Sequence, residues 1–385
     1  MIPYGRQDIT EEDIRHVVDV LKSDFLTQGP AIKALEQKFA AYVGSKYAVA
    51  VSSATAGLHL ACMSLGLKDG DVFWTVPNSF VASANCGLYC GGTVDFVDID
   101  PETLNMSITA LSEKLIHAEK EGRLPKIVIP VHFSGRSCDM DAIYSLAEKY
   151  GFSVIEDAAH SIGASYNGKK TGACEYSDIA VFSMHPVKII TTGEGGIITT
   201  NSPDIYEKLL RLRTHGITKS PSLMTKEPDG AWYFEQLSLG YNYRMTDIQA
   251  ALGVSQMDRL DDYISKRRNL VIRYNEKLRN LPLTLPSLKD LNDSSWHLYV
   301  VRLKLDEINI PHKRVFELLR DAGIGVNLHY IPIHLHPYFR ELGFSRGDFP
   351  ETEHYYGEAI TLPLYPKLSD KDHEYICETI KGILQ

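Results

Sequence analysis

Three short segments carry residue types that could do chemistry together. The stretch VFSMHPVKIITTGEGG at 181–196 sets Lys188 beside Val187, Ile189 and Ile190, with Gly193, Gly195 and Gly196 close behind. A lysine held in apolar surroundings gives up its proton more easily and becomes a nucleophile toward a carbonyl. The run Val154-Ile155-Glu156-Asp157 ends an apolar strand in two carboxylates. A carboxylate buried there needs a cationic partner, and a protonated pyridine nitrogen would serve. The run Ser52-Ser53-Ala54-Thr55-Ala56-Gly57-Leu58 places small residues and hydroxyls between a strand and a helix. That composition lets backbone N–H groups close on an anion at a helix N-terminus. Each segment alone has a plainer reading: an amphipathic surface lysine, a strand-end pair capping a turn, a helix cap. Together they supply a phosphate anchor, a pyridinium partner and a Schiff-base lysine, the parts that pyridoxal 5′-phosphate requires.

The pattern around these segments predicts how they are positioned. Short apolar, β-branched runs at 47–52, 72–76, 93–98, 126–132, 152–156, 178–183 and 196–200 read as strands buried on both faces. Helical spacing at 31–43, about 108–120, 140–150 and 203–215, and a helix opened by Thr10, alternates with several of them. Alternation of this kind predicts an α/β fold with a mainly parallel central sheet, whose strand ends carry the ligand. The polar stretch 217–230 reads as an exposed loop and 246–280 as a long helical region. The last hundred or so residues mix strands (297–304, 324–328) with helices (312–322, 350–359, 370–383). The expected division is a large domain over 1–255 and a smaller C-terminal α+β domain over 256–385, with about the first fifteen residues able to pack on the smaller one.

Composition narrows the function. The 385 residues are 44% hydrophobic and 23% charged, ordinary for a globular chain, with a formal net charge of −9. That balance disfavours nucleic acid as the main partner. No signal core, no membrane-length apolar run and no CxxC among six cysteines fit a cytoplasmic protein with reduced thiols. Two motifs read as decoys. Gly163–Lys170 nearly matches a P-loop, but Lys170 stands where the magnesium-binding hydroxyl belongs, and Asn167-Gly168 signals a hairpin turn. His334 and His336 could face one side of a strand, yet no Asp, Glu or Cys lies nearby and two prolines flank the run. Polar contact with a substrate fits that run better than a metal, so the expectation is no metal.

With these residues collected, the chain resembles the DegT/DnrJ/EryC1/StrS family of sugar aminotransferases, fold-type I pyridoxal-phosphate enzymes. The likeness runs nearly end to end: Leu26-Thr-Gln-Gly29, SSATAGL, Pro77-Asn-Ser-Phe80-Val-Ala-Ser-Ala-Asn85, EDAAHSIGA, FSMHPVK, GEGG, Gly240-Tyr-Asn-Tyr-Arg-Met-Thr246, Ile248-Gln-Ala-Ala-Leu-Gly253 and His329-Tyr330. The resemblance implies that Lys188 is the Schiff-base lysine and that Asp157 pairs with the pyridine nitrogen. It also implies that His160, where many members carry Gln, lies near the cofactor's phenolic oxygen, and that Phe80 stacks on the ring. Thr55, Ala56 and Ser183 would hold the phosphate, with Asn242 reaching the phosphate of a neighbouring subunit in a homodimer. Gln28, Gly29, Arg244, His329 and Tyr330 are the implied substrate contacts.

Within the family the resemblance points to the branch serving pseudaminic acid biosynthesis. It implies amino transfer from L-glutamate to C4 of UDP-2-acetamido-2,6-dideoxy-β-L-arabino-hex-4-ulose. Other readings stand beside it: another nucleotide 4-keto-sugar, such as UDP-4-keto-6-deoxy-GlcNAc, or a homologue that binds the cofactor without turnover. Relatives that act as sugar dehydratases replace the lysine with histidine, and Lys188 argues against that chemistry.

Overall fold

Runs such as Ile127–Ile129 have no polar face, so they are stable only where helices cover both sides of the sheet. The computed structural model, which describes residues 1–385, builds them into one seven-stranded sheet. Its strand order is Tyr47–Val51, Gly196–Thr200, Ile179–Ser183, Ser153–Asp157, Ile127–Ile129, Val72–Thr75, Thr93–Phe96. Only Gly196–Thr200 runs against its neighbours; the other pairings are parallel. The mainly parallel α/β sheet expected from the sequence is therefore present. Helices Ala54–Ser64 and Pro203–Leu212 pack with one face, Ile108–Glu121 and Met140–Tyr150 with the other.

The C-terminal part has a separate core. A three-stranded antiparallel sheet of Leu283–Thr284, Tyr299–Leu303 and Ala359–Leu362 packs on helices Leu260–Leu278, His312–Asp321 and Asp370–Leu384. The N-terminus joins this part: Ile2–Pro3 pairs in parallel with Ile324–Gly325, and Leu364 N–H donates to the Tyr4 carbonyl. Along Tyr299–Leu303 the side chains alternate. Tyr299, Val301 and Leu303 enter the C-terminal core, while Val300 joins the core beneath the large sheet.

Three local expectations are corrected. The 246–280 region is two helices, Asp247–Met257 and Leu260–Leu278. No glycine or proline marks the break; Arg259 sits at the junction and grips Asp13 through its guanidinium. The expected strand at 324–328 is only Ile324–Gly325, followed by a single bridge from Asn327 to Thr361. The His334 run is no strand either. Ile333–Leu335 is a 3₁₀ turn between Pro332 and Pro337, which lack the N–H donors a ladder needs. The 163–170 decoy is the expected hairpin, Ser165–Tyr166 against Lys169–Lys170, with Asn167 and Gly168 both at positive φ. No helix is long and apolar enough to cross a membrane.

Candidate active site

Sheet order brings the three chemical segments together. The strand ends at Val51, Gly196, Ser183 and Asp157 lie on four adjacent strands, each about 4.8 Å from the next. Gly196 stands opposite both Val51 and Ser183, and Asp157 stands opposite Val181. A Cβ on Gly196 would fall 2.7 Å from the Ser53 carbonyl carbon and the Ala54 nitrogen, so glycine lets the reversed strand close against the turn after Val51.

That turn opens helix Ala54–Ser64 with Ser53 as N-cap, its hydroxyl accepting from Ala56 N–H. Ala54 and Thr55, the first helical residues, have no carbonyl one turn back, so their N–H groups are left to bind an anion. Ser183 is buried at the end of the next-but-one strand, where its hydroxyl accepts from His185 N–H. Thr55, Ala56 and Ser183 are thus gathered on one side of the strand ends, but the expected Ala56 contact is corrected: its N–H is taken by the Ser53 cap, which leaves Ala54 and Thr55 as the free donors of the turn.

Asp157 is 5% exposed and has no ion-pair partner within bonding distance. Its Oδ2 accepts from the Ser83 hydroxyl at 2.6 Å and its Oδ1 from Ala159 N–H at 3.1 Å. Ser79 lies 2.7 Å from Ser83. Because the carboxylate only accepts, Ser83 donates to it and Ser79 donates to Ser83. Lys188 is half-buried in the turn that follows Ser183. Burial of its amine pushes the pKa down to about 8, and the Asp157 charge pulls it partly back. A buried carboxylate held only by neutral donors, facing an amine poised near neutrality, fits a protonated ring nitrogen bound between them.

His160 is buried with its Nδ1 accepting from Ser134 N–H, so its Nε2 carries the proton that meets the Tyr330 hydroxyl at 2.9 Å. Burial lowers its pKa well below the usual value, and Lys188 and His329 add to this, so the ring is neutral. His329 bonds Thr361 through Nδ1 at 2.9 Å; burial, then Lys188, push its pKa down to about 3. Tyr330 lies 6.4 Å, ring to ring, from Phe80, whose side chain is 59% exposed at the mouth of the site.

The structure thus brings Lys188, Asp157, His160, Phe80, His329 and Tyr330 to one place. Gln28, Gly29 and Arg244 line a different surface cavity of about 320 Å³, with Lys33, Glu36 and Arg213. Asn242 is exposed and makes no side-chain hydrogen bond within the chain, although the next residue, Tyr243, accepts Ser52 N–H. His185 is exposed. His334 is turned away into a bond with Glu353, a carboxylate brought from nineteen residues along the chain (334 to 353).

Several residues at the site went unnoticed in the sequence. The His297 ring lies 4.5 Å from that of His160, tilted by 43° to it, and is buried with Nδ1 unpartnered. The Tyr4 ring lies 5.3 Å from His329. Asn78, 1% exposed, accepts from Tyr330 N–H and leaves its own amide without a partner. Ser83 sits inside a quoted motif, but nothing in its spacing pointed to Asp157.

Comparison with known proteins accounts for this arrangement. A model of the DegT/DnrJ/EryC1/StrS aminotransferase family matches residues 7–381. The chain belongs to that family. It is 40% identical, across 100% of its length and 97% of the relative's, to an uncharacterized protein of Methanocaldococcus jannaschii. It is 37% identical to a spore coat polysaccharide biosynthesis protein of Bacillus subtilis, again over 100% of this chain and 97% of the relative. It is 34% identical to the UDP-4-amino-4,6-dideoxy-N-acetyl-β-L-altrosamine transaminase of Campylobacter jejuni, over 100% and 98%. Among solved structures, the Helicobacter pylori aminotransferase of pseudaminic acid biosynthesis superposes with a TM-score of 0.91 at 30% identity, covering 100% of this chain and 99% of that one. A sugar aminotransferase of Streptococcus pneumoniae, described as putative and solved in its pyridoxal-phosphate form, gives 0.88 at 31%, with 99% and 98% covered. Aminotransferases of this family depend on pyridoxal phosphate.

Proposed function

We propose that this protein transfers an amino group from L-glutamate to C4 of a UDP-linked 4-keto-6-deoxy-N-acetylhexosamine, using pyridoxal phosphate attached at Lys188. The observation that carries the proposal is the pairing of a half-buried lysine of lowered pKa with a buried carboxylate that has no cation of its own. When bound, the cofactor supplies a carbonyl for the amine and an electron-accepting ring. Ala54 and Thr55 N–H groups, with the Thr55 and Ser183 hydroxyls, hold its phosphate. Asp157 keeps a proton on the ring nitrogen, because losing that proton would leave the carboxylate buried and unpaired. The Lys188 amine takes a proton from the donor's α-carbon and returns one at the product carbon, work suited to a group with a pKa near working pH. His160 orients the phenolic side through its neutral ring, and Phe80 covers one face.

A second copy completes the site in this reading. Asn242, Gln28, Gly29 and Arg244 lie outside the Lys188 cluster, and exposed apolar side chains flank them: Phe25, Leu26 and Leu239. We assign the pocket's first preference to the β-L-arabino 4-ketone, giving the β-L-altrosamine product. The similarity to the Campylobacter and Helicobacter enzymes supports that choice. The 37% identity to a spore coat polysaccharide protein supports a second reading, a different nucleotide 4-keto-sugar. Incubating the holoenzyme with glutamate and a panel of UDP-4-keto-6-deoxy-HexNAc epimers decides between them. Product stereochemistry by NMR should show the β-L-altro amine as the fastest product; preference for another epimer establishes the second reading, and no amination of any overturns both.

A further inference from the structure

A second cavity, of about 250 Å³, opens between the large sheet's core and the C-terminal sheet, behind the wall that holds His160. Its apolar lining includes Leu104, Phe133, Leu285 and Trp296. Its unpaired cation is Arg302. On the strand Tyr299–Leu303, the face that buries Val300 beneath the large sheet next presents Arg302, where the alternation calls for another apolar side chain. Arg302 is half-buried and has no hydrogen bond or ion pair in the chain. The other arginine of the cavity, Arg136, is paired with Asp290. The cavity's carboxylates are Asp290, taken up by Arg136, and Glu102, which is exposed at the rim and makes no ion pair with Arg302, so the partly buried guanidinium is left open to an incoming anion.

Backbone strain marks the same place. Seven non-glycine residues have positive φ, and three of them line this cavity: Leu104 at 63°, Ser134 at 62° and Trp296 at 52°. Such conformations are kept where the surroundings impose them, often at ligand clamps. None of the three is asparagine or aspartate, the side chains that tolerate it best.

We propose that this interdomain cavity is a second ligand site, distinct from the Lys188 site, for a small organic anion with a flat or apolar body. The carboxylate or phosphate pairs with Arg302, and the body lies between Phe133, Leu285 and Trp296. The far side of the wall gives the site a route to the catalytic cluster. Phe133 lies 6.1 Å, ring to ring, from His160, and Ser134 donates its N–H to His160 Nδ1. The carbonyl of Ser134 in turn accepts from His297 N–H. Occupation of the cavity therefore presses on the groups that orient His160 and His297.

Phenyl phosphate and benzoate are suitable probes, with inorganic phosphate and benzyl alcohol as controls, titrated into the full-length holoenzyme by calorimetry. Both aromatic anions should bind in a 1:1 ratio without competition from UDP, and each should bind more tightly than either control. Arg302→Gln should weaken them by roughly 10- to 100-fold, the loss of a charge-assisted contact. The cofactor's visible spectrum should stay unchanged in that variant before ligand is added. Thr284→Trp, which fills the cavity from its exposed rim, is a second variant that leaves the core untouched, and it should abolish binding. No binding at millimolar concentration, full competition by UDP, or affinity unaltered in both variants overturns the proposal.

Discussion

Glu156 and Asp157 are neighbours on one strand, and they meet opposite fates. Glu156 is enclosed: the buried His132 Nε2 lies 2.7 Å away, and Ser177 donates its hydroxyl to the other carboxylate oxygen. His132 Nδ1 is itself used, accepting from Cys138 N–H. Every polar atom there has its partner inside the chain. Asp157 has only a hydroxyl and a peptide N–H, and it faces an amine that no hydrogen bond holds. The difference teaches where to look for function in a buried polar cluster. A closed network stabilises the fold, whereas charges left open to one another imply a group that comes from outside.

The variants that probe this contrast differ in expected size. Lys188→Arg keeps the charge but removes the nucleophile, and single-turnover amino transfer should fall by about 10³-fold or more. Asp157→Asn keeps the shape and should cost about 10²-fold, with a blue-shifted cofactor spectrum as the ring nitrogen loses its proton. Attachment of cofactor to the apoprotein should speed up by about fivefold between pH 7 and 8, roughly double again by about pH 9 and level off above. Only the unprotonated amine attacks, and a pKa of about 8 leaves about a tenth of it free at pH 7. A stopped-flow profile that is flat across this range would contradict the lowered pKa. Ser83→Ala should act more mildly, moving the pH midpoint of the cofactor's absorption change and lowering kcat a few-fold while KM holds. Glu156→Gln closes the series. Its turnover per folded molecule should stay within about twofold, while unfolding in denaturant shows a loss of about 1–3 kcal/mol. If Glu156→Gln abolished turnover in a folded protein while Asp157→Asn only lowered stability, the contrast would be reversed.

How far the sequence revealed this follows from the range of the interactions. That Lys188, Asp157 and the turn at Ser53–Thr55 come together was legible because strand ends are local patterns and a parallel sheet must align them. Asn167-Gly168 was legible because the turn needs positive φ at both positions. Ser83, His297, Tyr4 and Asn78 were not. Each reaches the site through a contact between segments from 74 to more than 250 residues apart, or through the docking of the C-terminal sheet, and such contacts leave no periodicity. His334 shows the same limit: its carboxylate partner, Glu353, comes from a different helix. The helix break at Asp258 was hidden for a related reason, since Arg259 is held by Asp13 rather than by a local breaker.

The central claim is that Lys188 is the residue to which the cofactor is attached. Reducing the holoenzyme with borohydride, digesting it and locating the phosphopyridoxyl mass by tandem mass spectrometry tests it directly. The label should fall on the peptide containing Lys188, and addition of glutamate before reduction should remove it. A label on any other lysine, or no covalent label in a protein that retains amino-transfer activity, would contradict the account.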